Sequence, residues 1–170
     1  NGYPGLEDVW TLMDEQWAAF DCDPEKMDDK VSKFYRHPVW VLNGLFIEQH
    51  SQSMKNRKEF ADWIVRQRPK RIADFGGGFG GLARLVGSLL PASRVEVVEP
   101  HPHAAAIAMA ESTANVRYVS ELTGEYDILI ATDVFEHVLD PIGLAAETAQ
   151  HLPIDGKYLI ANCFQPVIQC

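Results

Sequence analysis

The chain has 170 residues, of which 46% are hydrophobic and 23% charged, a composition typical of one folded globular domain. Its net charge of -9 argues against nucleic acid as a partner, because phosphate binding requires clustered lysine and arginine. The 3 cysteines form no Cys-x-x-Cys pair, no apolar run could span a membrane, and no signal-peptide pattern opens the chain. We therefore expect a cytoplasmic protein without a membrane partner, and the sequence leaves its oligomeric state open.

Residues 1–68 predict a helical N-terminal segment that is accessory to the rest of the chain. The run Asp23-Pro24-Glu25 indicates a helix start, with an acid at the N-cap and proline in the first helical position. We expect this helix to continue to about Tyr35. A further helix is predicted from about Gln52 to Val65, where apolar residues recur on one face.

Residues 69–170 change to an alternation of strands and helices, which predicts a parallel sheet in an α/β fold. Helices are predicted to begin near Gly80, near Pro102 and at Asp140-Pro141. The chain stops at Cys170, soon after the fifth strand, so it is either a fragment or a variant of the doubly wound fold. The predicted strands are Arg71–Phe75, Arg94–Val98, Val116–Val119, Tyr126–Ala131 and Lys157–Ala161.

A glycine-rich turn directly after the first strand is the most informative stretch. Asp74 lies at the end of the strand, and the turn after it contains Gly76, Gly77, Gly78, Gly80 and Gly81. A helical pattern follows. Glycine lets a backbone approach a ligand closely, because it has no Cβ and accepts positive φ. A second acid, Glu99, ends the second strand, where a carboxylate can hydrogen-bond a ribose. The sequence therefore predicts a Rossmann-like nucleotide site.

Two motifs resemble those of one enzyme family. Residues 74–80 look like motif I of the class I S-adenosylmethionine-dependent methyltransferases, Asp-x-Gly-x-Gly-x-Gly, and Glu99 matches that family's second acid. Thr132–Val138 resembles the Glu-His-Val signature of small-molecule methyltransferases related to ubiquinone and menaquinone biosynthesis enzymes. The resemblance covers residues 69–165. It implies a Rossmann-like doubly wound sheet of order 3-2-1-4-5, S-adenosyl-L-methionine as cofactor, and in-line methyl transfer to a small-molecule acceptor.

The resemblance also implies roles for individual residues. The glycine turn would hold the methionine end of the cofactor, Glu99 its ribose, and Pro100 the face of its adenine. Ser120 and Glu121 follow the third strand, where family members contact the adenine amino group. The residues assigned to cofactor binding are Asp74, Gly76, Gly77, Gly78, Gly80, Glu99, Pro100, Ser120, Glu121, Asp133 and Val134.

Asp133, Glu136 and His137 follow the fourth strand and allow three interpretations. Glu136 and His137 could cap the next helix and fix the loop, or His137 could be a catalytic general base, since imidazole titrates near neutral pH. A divalent metal is the third interpretation, because similar arrays in some quinone-pathway enzymes are linked to one. Here aspartate replaces the usual first glutamate, so we assign no metal ligand. In this family the segment before the first strand often forms a lid, which residues 1–68 could provide.

Two other functions fit part of the pattern. Residues 76–81 also match Gly-x-Gly-x-x-Gly, the fingerprint of nicotinamide and flavin oxidoreductases. The acid before the first glycine, the extra Gly80 and the Glu136-His137 pair disfavour that alternative. The second is a domain that binds S-adenosylmethionine without catalysis, acting as an accessory module.

Overall fold

A computed structural model describes residues 5–164 of the chain, and the predicted fragment end at Cys170 lies outside them. The described residues divide into an N-terminal unit that ends at His50 and a core unit, Ser51–Cys163. This division falls earlier in the chain than the predicted boundary at residue 68, because helix α4 (Ser51–Gln67) packs in the hydrophobic core of the second unit. No helix among the described residues has the length and apolar character needed to cross a bilayer.

Three helices form the N-terminal unit: α1 (Leu6–Ala19), α2 (Asp29–Tyr35) and α3 (Val39–Ile47). Aromatic side chains dominate its core, in which the rings of Trp17 and Phe34 meet edge to face with centroids 5.1 Å apart. The aromatic residues of α1, α2 and α3 are therefore used in packing within this unit, whereas Phe60 and Trp63 of α4 pack in the core unit. A lid role for the segment stays a prediction.

The predicted helix start at Asp23-Pro24 is wrong. Asp28 is the N-cap of α2, and its side chain accepts hydrogen bonds from the backbone N–H groups of Lys30 and Val31. Asp23 instead accepts from the Glu25 N–H at 3.0 Å and pairs with Lys26 at 2.6 Å. These local bonds use the carboxylate in a turn, so the helix begins only where the next aspartate can cap it.

The core unit contains a five-stranded parallel sheet of order β3-β2-β1-β4-β5, which confirms the predicted fold class. Four predicted strands have the predicted bounds. The fourth begins at Ile128, because the Tyr126 N–H bonds to His151 and the Asp127 carboxylate accepts from the Lys70 N–H before the ladder begins. The strands are β1 (Arg71–Phe75), β2 (Arg94–Val98), β3 (Val116–Val119), β4 (Ile128–Thr132) and β5 (Lys157–Ala161).

Helices cover both faces of this sheet. On one face α4 and α5 (Gly81–Leu89) pack against strand residues such as Ile72 and Val97. α6 (Ala104–Ala110) buries Ala110 in the same cluster. On the other face α7 (Pro141–Ala149) is joined to β5 by a hydrogen bond of 2.7 Å between the Thr148 and Tyr158 hydroxyls. The layers are those of a doubly wound fold.

A charged cluster joins three strands on the second face. Glu96 in the middle of β2 is fully buried, and its carboxylate contacts Arg71 of β1 at 2.9 Å and Arg94 of β2 at 2.7 Å. Arg117 of β3 donates to the same carboxylate from Nε at 2.8 Å. The Arg71 guanidinium also lies 4.2 Å from the ring centre of Tyr126. A buried carboxylate needs such partners, since an uncompensated charge in the interior is strongly destabilising.

Candidate functional site

The carboxyl ends of β1, β2 and β4 meet at one edge of the sheet. In the parallel ladders Phe75 is the partner of Val98 in β2 and of Ala131 in β4. The glycine loop (residues 76–80), Glu99 and the β4 loop (residues 133–140) therefore leave the sheet side by side. In open α/β sheets this edge is where ligands bind.

The glycine loop has the backbone conformation that its sequence predicts. Gly76 and Gly78 have φ angles of 67° and 50°, in the left-handed region that other residues rarely adopt. A Cβ on Gly76 would lie 2.6 Å from Cγ2 of Val134, so the β4 loop packs directly on this residue. A Cβ on Gly78 would meet nothing within 4 Å. The loop thus packs on protein at one position and presents bare backbone to open space at another.

Asp74 lies beneath this loop with only 2% of its surface exposed. Its carboxylate accepts a hydrogen bond from the Ala83 N–H in the first turn of α5, and a Cβ on Gly77 would lie 2.7 Å from its Cγ. Burial raises the pKa of Asp74 to about 7, and the nearby Glu99 carboxylate adds to the increase. Oδ1 of Asp74 is buried and has no hydrogen-bond partner within residues 5–164.

Glu99 directly follows β2 and is half-buried. Its carboxylate accepts from the Gly78 N–H and, at 3.4 Å, from the His101 N–H. Burial is the main cause of the raised pKa of Glu99, which these backbone donors partly offset. The role of Glu99 in binding a ribose stays a prediction.

A cleft of about 430 Å³ brings three of the predicted residues together. Glu99, Pro100 and Ser120 all line it, and it continues between α6 and β3. Glu121 is exposed, and it is not among the described residues that line the cleft. The loops after β2 and β3 therefore share one concave surface.

The β4 loop is held mainly by hydrogen bonds. The Asp133 N–H donates to the Ala161 carbonyl at 2.8 Å, with Asp133 at a φ of 54°. Glu136 accepts from the Asn162 side chain and, at 3.1 Å, from the Cys163 N–H. Glu136 thus connects this loop to the segment that follows β5.

One interpretation was that Glu136 and His137 cap the next helix and fix the loop, and the capping part of it is wrong. Asp140 caps α7 by accepting from the Gly143 N–H at 2.8 Å. The loop-fixing half agrees with the contacts of Glu136, both of whose oxygens accept hydrogen bonds. Within the described part of the chain, no three His, Cys, Asp or Glu side chains are grouped as metal ligands. Burial and the neighbouring Glu136 raise the pKa of Asp133, while His137 opposes the increase.

Tyr118 of β3 is a site residue that the sequence analysis missed. Its hydroxyl donates to the Gly78 carbonyl at 2.8 Å. A Cβ on Gly80 would lie 2.9 Å from the Tyr118 hydroxyl oxygen. The alternation along β3 puts Tyr118 on the face of the sheet that α5 covers, together with Val116. That alternation was the one signal in the sequence, and it does not show which backbone atom the hydroxyl reaches.

This fold and this edge are those of a nucleotide-binding α/β domain with a glycine loop and two acids. The model of a family described as "Methyltransferase domain" matches residues 46–165, and the chain belongs to that family. No curated protein matches the chain. The finer resemblance to ubiquinone and menaquinone biosynthesis enzymes stays a prediction.

Solved structures show the same fold. An O-methyltransferase family protein from Burkholderia thailandensis superposes with a TM-score of 0.70 at 16% identity, over 90% of this chain and 51% of that one. Coclaurine N-methyltransferase bound to N-methylheliamine and S-adenosylhomocysteine gives 0.59 at 15% identity, over 94% and 54%. Human N-acetylserotonin methyltransferase in complex with S-adenosylmethionine gives 0.57 at 16%, over 89% and 48%. The chain therefore spans about half the length of these structures.

Proposed function

We propose that the protein binds S-adenosyl-L-methionine and transfers its methyl group to a small-molecule acceptor. Membership of the methyltransferase family supports the activity, and two of the similar structures contain this cofactor or its demethylated product. The observation that carries the proposal is the pairing of a bare glycine backbone at Gly78 with the unpartnered Oδ1 of Asp74 and the Glu99 carboxylate. A dinucleotide oxidoreductase is disfavoured by the family match.

Different residues at the sheet edge bind different parts of the cofactor. Asp74 accepts from the amino group at the methionine end, directly or through water, and Glu99 accepts from the ribose hydroxyls. Pro100 contacts one face of the adenine. The remaining residues proposed for cofactor binding are Gly76, Gly77, Gly78, Gly80, Ser120, Glu121, Asp133 and Val134.

The chemistry asks little more than alignment from the protein. When bound, S-adenosylmethionine supplies a methyl group on a sulfonium sulfur, which is already activated for transfer to a nucleophilic atom. The protein aligns the acceptor and excludes water. His137 is the proposed general base for an acceptor that must lose a proton. Unchanged turnover of His137→Ala from about pH 6 to pH 9 would remove that role.

The acceptor and the cellular location belong to the proposal as well. The net charge of -9 favours a small molecule over nucleic acid as the acceptor. The thiols of Cys22 and Cys163 are free, which agrees with a reducing cytoplasm.

Ligand binding tests the proposal first. Isothermal titration calorimetry with S-adenosylhomocysteine should give saturable one-site binding, and NAD⁺ and NADP⁺ should give none. Binding of a dinucleotide instead would overturn the assignment. Transfer of a radiolabelled methyl group to any acceptor from a panel of phenols and amines separates an enzyme from a non-catalytic binding module.

A variant of Glu99 locates the ligand. Glu99→Gln should weaken S-adenosylhomocysteine binding by about 1–3 kcal/mol, because the ribose hydroxyls lose a charged acceptor. Glu59→Gln on the exposed side of α4 is the matched control and should bind with wild-type affinity. Wild-type affinity of Glu99→Gln would reject the ribose assignment.

A further inference from the structure

We propose that Tyr118 is a positioning residue, whose hydroxyl holds the glycine loop in its binding conformation before the cofactor arrives. The proposal rests on the proposed function, since it concerns the same cofactor site. It assigns to an edge strand a role that neither motif of the chain contains. The contacts of one residue, Gly78, carry the argument.

Gly78 is held from two sides. Its N–H donates to the Glu99 carboxylate, and its carbonyl accepts from the Tyr118 hydroxyl at 2.8 Å. Both bonds act on a residue with a φ of 50° and no side chain of its own. The bonds replace the packing contacts by which a side chain would otherwise fix the backbone at this position.

Tyr118 is well placed for this role because its own position is fixed. Its ring packs against the buried cluster that β1, β2 and α5 share. The hydroxyl also lies so close to Gly80 that a Cβ there would be 2.9 Å from it. One rigid side chain therefore contacts the glycine loop at two of its glycines.

Such a support has a thermodynamic consequence for binding. Glycine loses more backbone freedom than any other residue when it is ordered, and ordering one residue costs about 1–2 kcal/mol. A loop that is ordered in the free protein does not incur that cost when the ligand binds, so its affinity is higher. Without the Tyr118 hydroxyl, part of the entropic cost of ordering the loop should be incurred on binding, which lowers the affinity for the ligand.

The chain contains a matched control in Tyr158. Its hydroxyl forms a hydrogen bond of 2.7 Å with the Thr148 hydroxyl, and it lies in β5 at the opposite edge of the sheet. Tyr118→Phe and Tyr158→Phe each remove one hydroxyl bond and keep the ring. Only the first of these bonds ends on the glycine loop.

The decisive measurement is the Kd for S-adenosylhomocysteine, by calorimetry on the folded full chain. Tyr118→Phe should raise it about fivefold, the equivalent of one hydrogen bond, and Tyr158→Phe should leave it unchanged. Amide hydrogen exchange without ligand should accelerate within residues 76–80 in Tyr118→Phe alone. A role in core stability only would lower the melting temperature of both variants and leave Kd and loop exchange unchanged.

Each outcome decides the question. An unchanged Kd in Tyr118→Phe overturns the inference while the proposed function stands, whereas a wild-type protein that does not bind S-adenosylhomocysteine overturns the proposed function itself. The Gly80 amide, which donates to the Gly77 carbonyl at 2.7 Å, gives a second measurement in the ligand-free protein. Faster exchange of this amide in Tyr118→Phe than in the wild type supports the inference, and equal exchange contradicts it.

Discussion

The glycine loop and the β4 loop leave the same sheet edge but are stabilised in opposite ways. The first has almost no side chains, and groups from elsewhere hold its backbone: the Val98 carbonyl accepts from the Gly76 N–H, Glu99 accepts from the Gly78 N–H, and Tyr118 donates to the Gly78 carbonyl. The β4 loop is held through a side chain of its own, because Glu136 accepts hydrogen bonds from Asn162 and Cys163 in the segment after β5.

The difference separates two tasks at one site. A loop without side chains lets a ligand approach its backbone closely, and its shape depends on its neighbours. A loop with side chains can present a carboxyl group and an imidazole, here Asp133 and His137, to a bound ligand. The first loop should therefore be sensitive to what lies around it, and the second to its own residues.

Asp74, near the carboxyl end of β1, and Asp133, directly after β4, provide the strongest contrast. Burial raises the pKa of Asp74 to about 7 from 3.8, so between these values the native state keeps a proton that the unfolded chain releases. The free energy of unfolding should therefore fall as pH rises from about 4 to about 7, by up to about 4 kcal/mol. Urea denaturation across this range should show a clearly flatter profile for Asp74→Asn.

Asp133→Asn is the control for that measurement. The pKa of Asp133 is also raised, but its side chain is exposed and solvent screens its charge, so its removal should change the pH profile less than removal of the buried Asp74. Equal pH dependence of wild type and Asp74→Asn would show that the buried acid is not the group responsible.

Gly76 tests the contact between the two loops. Gly76→Ala should lower the free energy of unfolding by about 2–4 kcal/mol, since the new Cβ combines a positive φ with a clash against Val134. Gly78→Ala has the positive φ but open space, so about 1–2 kcal/mol is expected. In a Val134→Ala background the two substitutions should become equally destabilising. A persistent difference would mean that Val134 is not the obstacle.

A variant of Glu136 tests how the β4 loop is held, and its expected effect on stability is the smallest. Glu136→Gln keeps one acceptor oxygen and loses the charge, so the free energy of unfolding should fall by about 1 kcal/mol. Amide exchange at Cys163, which donates to this carboxylate, should accelerate. Glu147→Gln, on the exposed surface of α7, should change neither quantity. Unaltered exchange at Cys163 would contradict the assigned contact.

Local chemistry explains which parts of the fold could be predicted. β1, β2, β3 and β5 have the predicted bounds because short apolar runs are bounded by turn residues. The start of α2 was mispredicted because two aspartates, Asp23 and Asp28, both offer a cap, and only the tertiary structure selects between them.

Long-range contacts explain what could not be predicted at the site. The positions of Asp74 and Glu99 follow from their place at the carboxyl ends of parallel strands, which sequence order alone indicates. The bond from Tyr118 to Gly78 spans 40 residues and that from Asn162 to Glu136 spans 26, so no local pattern encodes either. Whether a carboxylate binds a ligand or stabilises the protein's own structure depends on such long-range partners.

The buried Glu96 has a consequence for how this sequence can change over evolution. Its carboxylate is shared by Arg71, Arg94 and Arg117, which come from three adjacent strands. Replacing the acid alone would leave three cations facing one another, while replacing all four by apolar residues of similar volume need not destabilise the sheet. We therefore expect these four positions to covary as a block among homologues, with intermediate combinations rare.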